Sequence, residues 1–116
     1  MNKRAAGYRG EQIASQYLIK KGYNIIKSNY SSRYGEIDLI AENAQTLVFV
    51  EVKCRSSAKF GIGAEAVGKR KIEKLRNMAL YYLQQNNTDL NIRFDVVDIM
   101  LQRGAAPVIN HIPGAF

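Results

Sequence analysis

The chain has 116 residues, 47% of them apolar and 23% charged, which fits one globular domain spanning residues 1–116 and leaves no room for a second. Seventeen Lys and Arg against ten Asp and Glu give a formal charge of +7, so an anionic partner such as nucleic acid is expected. The lone Cys54 excludes an internal disulfide and a cysteine-cluster zinc site, and no apolar run approaches the roughly 20 residues needed to cross a bilayer.

The start, Met1-Asn2-Lys3-Arg4, is charged and is not followed by an apolar stretch or a small-residue cleavage site. No secretion signal is therefore expected, and a cytoplasmic protein is. From about Ala5 to Lys21 the periodicity predicts a first helix, with Gly7, Glu11, Ala14 and Leu18 on one stripe, Tyr17 beside it and Gly22 as its C-terminal stop. Glu11 is the anomaly on that stripe. An isolated buried carboxylate is too costly, so Glu11 is expected either to pair with a base or to reach a metal. Tyr23 to Tyr30 reads as a strand and Ser31 to Tyr34 as a connection.

Gly35-Glu36-Ile37-Asp38-Leu39-Ile40 and Val48-Phe49-Val50-Glu51-Val52-Lys53 read as the two strands of a hairpin, joined by a four-residue polar loop, Asn43-Ala44-Gln45-Thr46. A symmetric loop sets Asp38 opposite Glu51, Glu36 opposite Lys53 and Ile40 opposite Phe49. Side chains two apart share a face. Glu36, Asp38, Glu51 and Lys53 are thus expected on one side of the ribbon, with Ile37, Leu39, Val48, Val50 and Val52 on the other. Like charges directly opposite on a sheet destabilise it by up to about 1 kcal/mol. A neutralising group is expected between them, and a divalent cation such as Mg²⁺, which takes oxygen ligands from one or two carboxylates, suits that place.

After Lys53, the small, basic, glycine-bearing run from Cys54 to Gly63 reads as a loop beside the carboxylates, either a plain connection or a gate for substrate. From about Ala66 to Gln85 a long second helix is predicted, with Gly68, Ile72, Leu75, Ala79 and Leu83 facing inward. Lys69, Arg70, Lys71, Lys74 and Arg76 crowd its first half. Arg70 and Lys74 point away from the apolar stripe, whereas Lys69, Lys71 and Arg76 lie near enough to its edges to bend toward the sheet. Asn86 to Asp89 is turn chemistry, Ile92 to Leu101 a further strand, and Pro107 to Phe116 a short edge strand followed by a fraying end. The order α-β-β-β-α-β(-β) implies a mixed sheet flanked by helices, an α/β sandwich. The strand around Phe94 runs parallel to a meander strand through a right-handed helical crossover, and the acidic face lies near the first helix. His111, the only histidine, is read as structural, and Tyr8, Tyr30 and Tyr34 as packing residues or platforms on which bases stack.

An acid on a helix, then Asp, then Glu-x-Lys one hairpin later, here Glu11, Asp38 and Glu51-Val52-Lys53, resembles the PD-(D/E)xK nuclease signature. The resemblance extends over nearly the whole chain. Gly10-Glu11 with Ala14 and Tyr17-Leu18, Gly22-Tyr23, Gly35 to Ile40, Val48 to Lys53 with Arg55, Glu65-Ala66-Val67, Lys71, Lys74-Leu75, Arg93 to Val97 and the ending His111-Ile112 with Ala115-Phe116 are similar to the YraN family. Those are bacterial proteins predicted to be endonucleases and distantly similar to archaeal Holliday junction resolvases. Ile37 stands where the wider signature has Pro, at a position that contributes no ligand.

The resemblance implies a restriction-endonuclease-like fold and a metal-dependent endonuclease that hydrolyses phosphodiester bonds in DNA, including branched or repair intermediates. It implies that Asp38 and Glu51 ligate Mg²⁺ or Mn²⁺ and that the carbonyl of Val52 adds a ligand. Lys53 would orient or help deprotonate the attacking water, and Glu11 would complete the site directly or through water. Arg55, Lys59, Lys69, Lys71 and Lys74 are the residues expected to hold the DNA. A non-catalytic nucleic-acid-binding module of the same fold is the alternative, and a structural protein docking its basic face on an acidic partner is a third reading. Resolvases that cut two strands symmetrically act as pairs, which makes a homodimer the expected assembly.

Overall fold

Val48, Phe49 and Val50 are all but sealed from solvent, as befits a strand with neighbours on both edges and helices on both faces. The computed structural model describes residues 3–56 and 68–116, with side chains from Gly7 onward. Within it, α1 (Lys3–Lys20) precedes a meander of β1 (Asn24–Ser32), β2 (Gly35–Asn43) and β3 (Thr46–Arg55). Then come α2 (Lys69–Gln85), β4 (Asn91–Gln102) and β5 (Ala105–Ile112). The five strands form one sheet in the order β1-β2-β3-β4-β5. Every neighbouring pair is antiparallel except β3 and β4, which run parallel and are joined through α2. This is the expected mixed α/β architecture and element order.

The two helices cover opposite faces. Leu39, Ala41, Val48, Val50, Val97 and Ile99 pack with Ala14 and Leu18 of α1. Ile37, Ile40, Leu47 and Phe49 pack with Leu75, Met78, Ala79 and Tyr82 of α2. The buried line of α1 runs through Gly10, Ala14 and Leu18, so Glu11 sits on its flank rather than within it. In α2 the buried line is Leu75, Met78, Ala79 and Tyr82, with Ile72 and Leu83 only partly covered, because the Tyr82 ring meets Phe49 edge-on at 5.8 Å. No helix among the described residues is long and apolar enough to cross a membrane.

Local chemistry sets the element ends. Gly22 takes a φ of 95°, and the N–H groups of Gly22 and Tyr23 donate to the carbonyls of Ile19 and Leu18, the double bond that closes a helix on a glycine. The hairpin loop is shorter than expected. Asn43 pairs with Thr46, leaving Ala44 and Gln45 as a two-residue turn with Ala44 at a φ of 53°. The shortening is symmetric, so Ile40 still faces Phe49. The C-terminus does not fray: Ala115 N–H donates to the Phe94 carbonyl at 2.8 Å, and Phe116 stacks on Phe94 at 5.4 Å.

A second polar cluster ties β4 and β5 to the start of β1. The fully buried Asp95 accepts both Nε and Nη2 of Arg93 at 2.8 Å and the Gly114 N–H at 3.0 Å, and His111 Nε2 lies 2.7 Å away. Arg93 also donates to the Tyr23 hydroxyl at 2.7 Å. Burial pushes the Asp95 pKa up, but the hydrogen bonds from His111, Arg93 and Gly114 outweigh it and hold it at about 2. His111 is thereby placed in a structural network, as expected.

Gly10 is where α1 touches β3. A Cβ added there would lie 2.5 Å from Cys54 Cβ and 3.1 Å from its Sγ. Gly→Ala inside a helix normally gains about 1 kcal/mol, but the overlap reverses the sign here. Gly10→Ala is expected to destabilise the protein by about 1–3 kcal/mol in urea unfolding. Cys54→Ala should not rescue it, because the clashing atom is the Cβ that alanine keeps.

Candidate active site

The sheet opens at the carboxylates. β2 pairs with β3 only as far as Leu39 and Val50; beyond that, Ile37 and Glu36 stay with Tyr30 and Ser31 of β1. Glu51, Val52 and Lys53 stay with Val96, Val97 and Asp98 of β4. The expected ladder partners Asp38–Glu51 and Glu36–Lys53 therefore do not form. Asp38 Oδ2 instead accepts the Val52 N–H at 2.8 Å, standing in for the backbone carbonyl that would have continued the ladder. The N–H and C=O of one strand residue point to the same neighbour, so the Val52 carbonyl faces this opening too. The side-chain alternation of β2 breaks at the same point. Ile37 joins the α2 cluster while Leu39 joins the α1 cluster, which corrects the expectation that the two share a face.

Glu51 is only 4% exposed and receives two ammonium groups, Lys71 Nζ at 2.6 Å and Lys53 Nζ at 3.6 Å. Lys71 belongs to α2, so the Glu51 and Lys53 side chains emerge on the α2 side of the sheet, with Phe49. The acids therefore lie between the two helices, against Lys71 of α2 and, as expected, near the first helix through Glu11. Glu11 acts on the site from α1: its charge and that of Glu51 both reach Asp38. Sequence placed Lys71 among the residues that hold nucleic acid; its direct hold on Glu51 depends on how α2 crosses the sheet.

The electrostatics follow from crowding and burial. Burial and then the Glu51 charge push the Asp38 pKa up to about 7, against the opposing Val52 N–H and Lys71. Burial, with the charges of Glu36 and Glu51, raises that of Glu11, which the Asn29 side chain partly offsets. Burial and the adjacent Lys71 lower the Lys53 pKa. For Lys71, burial acts downward, but the contact with Glu51 prevails and raises it.

The basic residues divide. Arg70, Lys71 and Lys74 line an open cavity of about 490 Å³ beside Glu36 and Leu75. Lys69 is exposed at the start of α2. Arg55, expected to hold DNA, donates to Asp98 Oδ2 at 2.9 Å in a largely buried ion pair, because β4 places an acid beside it that the sequence alone did not connect to it. Lys59 and most of the expected gating loop lie outside the described residues. Among the described residues, no three His, Cys, Asp or Glu side chains converge to hold a metal by themselves. What converges is two carboxylates, with the Val52 carbonyl directed at the same opening.

A raised carboxyl pKa has a definite sign in stability. The folded protein holds the Asp38 proton more tightly than the unfolded chain, so this contribution is fully present below about pH 4 and lost as pH rises through about 7. Asp38→Asn keeps an acceptor for Val52 N–H and removes the charge. It is expected to stabilise the protein at pH 8, with a chelator present, by on the order of 2 kcal/mol. Urea midpoints measured from pH 4.5 to 8 should fall with pH for the parent more than for the variant; parallel curves would refute the assignment.

The model of the uncharacterised protein family UPF0102 matches residues 10–99, a span that contains Glu11, Asp38, Glu51, Lys53 and Lys71. A UPF0102 protein of Syntrophomonas wolfei is 47% identical over 114 residues, covering 97% of this chain and 98% of its own. One from Nocardia farcinica is 44% identical over 116 residues, covering 99% and 91%, and one from Alkaliphilus oremlandii is 46% identical over 119 residues, covering both chains fully. With the family's model running through the whole open end of the sheet and relatives matched from end to end, the chain belongs to family UPF0102, the YraN family.

Proposed function

We propose that this protein is a metal-dependent endonuclease hydrolysing phosphodiester bonds in DNA, with Asp38 and Glu51 as the ligands of Mg²⁺ or Mn²⁺. The observation that carries the reading is the pair of carboxylates at the open end of β2 and β3, Glu51 buried and Asp38 half-buried, whose charge is met by ammonium groups. Lys71 Nζ, 2.6 Å from Glu51, stands where a cation is wanted, so the residues fit a bound divalent ion. Asp38, Glu51 and the Val52 carbonyl would hold it, and Glu11 would reach it through water. Such an ion supplies Lewis-acid stabilisation of the phosphoryl oxygens and a more acidic water.

The chain's own groups supply the rest. The Val52 N–H fixes the orientation of the Asp38 carboxylate. Lys53, with its lowered pKa, is suited to hold the attacking water by Nζ and to take its proton. Lys71 and its neighbours Arg70 and Lys74 offer positive charge to the phosphates on either side of the scissile bond. A homodimer would present two such sites to two strands. The alternative, a binding module of the same fold, has a specific feature in its favour: Lys71 already neutralises Glu51, so the acids are satisfied without further chemistry.

Cleavage assays separate the two. Duplex, single-stranded, flap and four-way-junction DNA are incubated with Mg²⁺ or Mn²⁺, and at least one form should be cut. Asp38→Ala and Glu51→Ala should each lower the rate at least about hundredfold while circular dichroism shows an intact fold. Lys71→Ala removes a competing cation, so Mn²⁺ should bind severalfold tighter even as cleavage falls. Salt-sensitive DNA binding without product on any form would establish the binding module instead.

A further inference from the structure

We infer that the cleft between α1 and β1 is a nucleobase pocket, and that the preferred substrate carries an unpaired nucleotide beside the scissile phosphate. The inference rests on the nuclease reading above and adds to it the class of DNA. The cleft is open, about 330 Å³, within the range of small-ligand sites, roughly 300–1,000 Å³. Tyr8, Gln12, Ser15 and Gln16 of α1 form one wall, and Ser28 and Asn29 of β1 the other.

Its chemistry differs in kind from that of the α2 cavity. Among the described residues no Lys or Arg lines it, whereas three line the α2 cavity, so the two clefts offer different chemistry. Amides, hydroxyls and the Glu11 carboxylate line it instead, and these donors and acceptors match the edges of bases. Tyr8, Gln12, Ser15 and Gln16 fall on one side of α1 by helical spacing. Tyr8, part of the lining, stands 64% exposed, a large flat ring open to solvent. Asn29 holds a left-handed φ of 53° in the facing wall, a conformation uncommon within strands and concentrated at functional sites.

The cleft is also joined to the reaction centre. Glu11, which the reading above brings to the metal through water, lies within its lining. A nucleotide whose phosphate is at Asp38 and Glu51, with its flanking phosphates toward Arg70 and Lys74 on the α2 side, can place its base on the α1 side. Only a base free of its pairing partner can turn into such a cleft and stack on an aromatic ring. Flaps, single strands and branch points offer one; continuous duplex does not.

The chain has no tryptophan, so Tyr8→Trp installs a single reporter. With metal absent, a short oligothymidine should quench its fluorescence, whereas an abasic strand of equal length and a blunt duplex should not. Anisotropy titrations should show Tyr8→Ala weakening oligothymidine binding about five- to hundredfold, Tyr8→Phe retaining it within about twofold, and duplex binding unchanged in both. Equal quenching by the abasic strand, or equal loss of single-strand and duplex affinity in Tyr8→Ala, would overturn the base pocket. Quenching by oligothymidine together with no cleavage of any DNA form would leave the pocket standing and sink the nuclease reading alone.

Discussion

The hydrogen bond from Val52 N–H to the Asp38 carboxylate ends one β-ladder and begins the candidate active site. A central strand pair that continued past Leu39 and Val50 would bury its own backbone and leave no room between β2 and β3. Once β2 follows β1 and β3 follows β4, the edges of both strands need partners. The Asp38 side chain supplies one from β2, and the Val52 carbonyl is left facing the gap. The acid that would chelate a cation is therefore also the group that completes the sheet.

That dual role explains the electrostatic tension at the site. Asp38 is pushed toward neutrality by burial and by Glu51, and Lys53 away from its ammonium form by burial and Lys71. Each shift disfavours the resting protein and suits groups that exchange protons or ligands near neutral pH. Lys71 holds the arrangement together from α2. Asp95, buried more completely than Asp38, has a full set of donors and is held low instead. Two acids in one sheet thus have opposite characters because one has a full set of donors and the other has a single backbone N–H donor and the Glu51 charge nearby.

The two helices give the opening chemically different sides: α2 brings positive charge to one, and α1 brings amides, hydroxyls, Glu11 and an exposed ring to the other. Gly10 permits this, since only a residue without a side chain lets α1 lie against Cys54 and Val52 of β3. Glu11, the next residue, is carried to the flank of the candidate site by that close approach.

By itself the sequence determined the element order, the hairpin register at Ile40 and Phe49 and the helix stop at Gly22, and it singled out Glu11, Asp38, Glu51 and Lys53 as candidates, because these rest on local periodicity, turn chemistry and motif spacing. Periodicity assumes a continuous ladder, so it could not show where β2 and β3 part, that Asp38 meets a backbone N–H instead of facing Glu51, or that Ile37 changes sides. The pairing of Lys71 with Glu51, the capture of Arg55 by Asp98 and the docking of Phe116 join residues far apart in the chain. Only the tertiary structure decided these, for the physical reason that burial, not sequence proximity, selects which charges and rings must find one another.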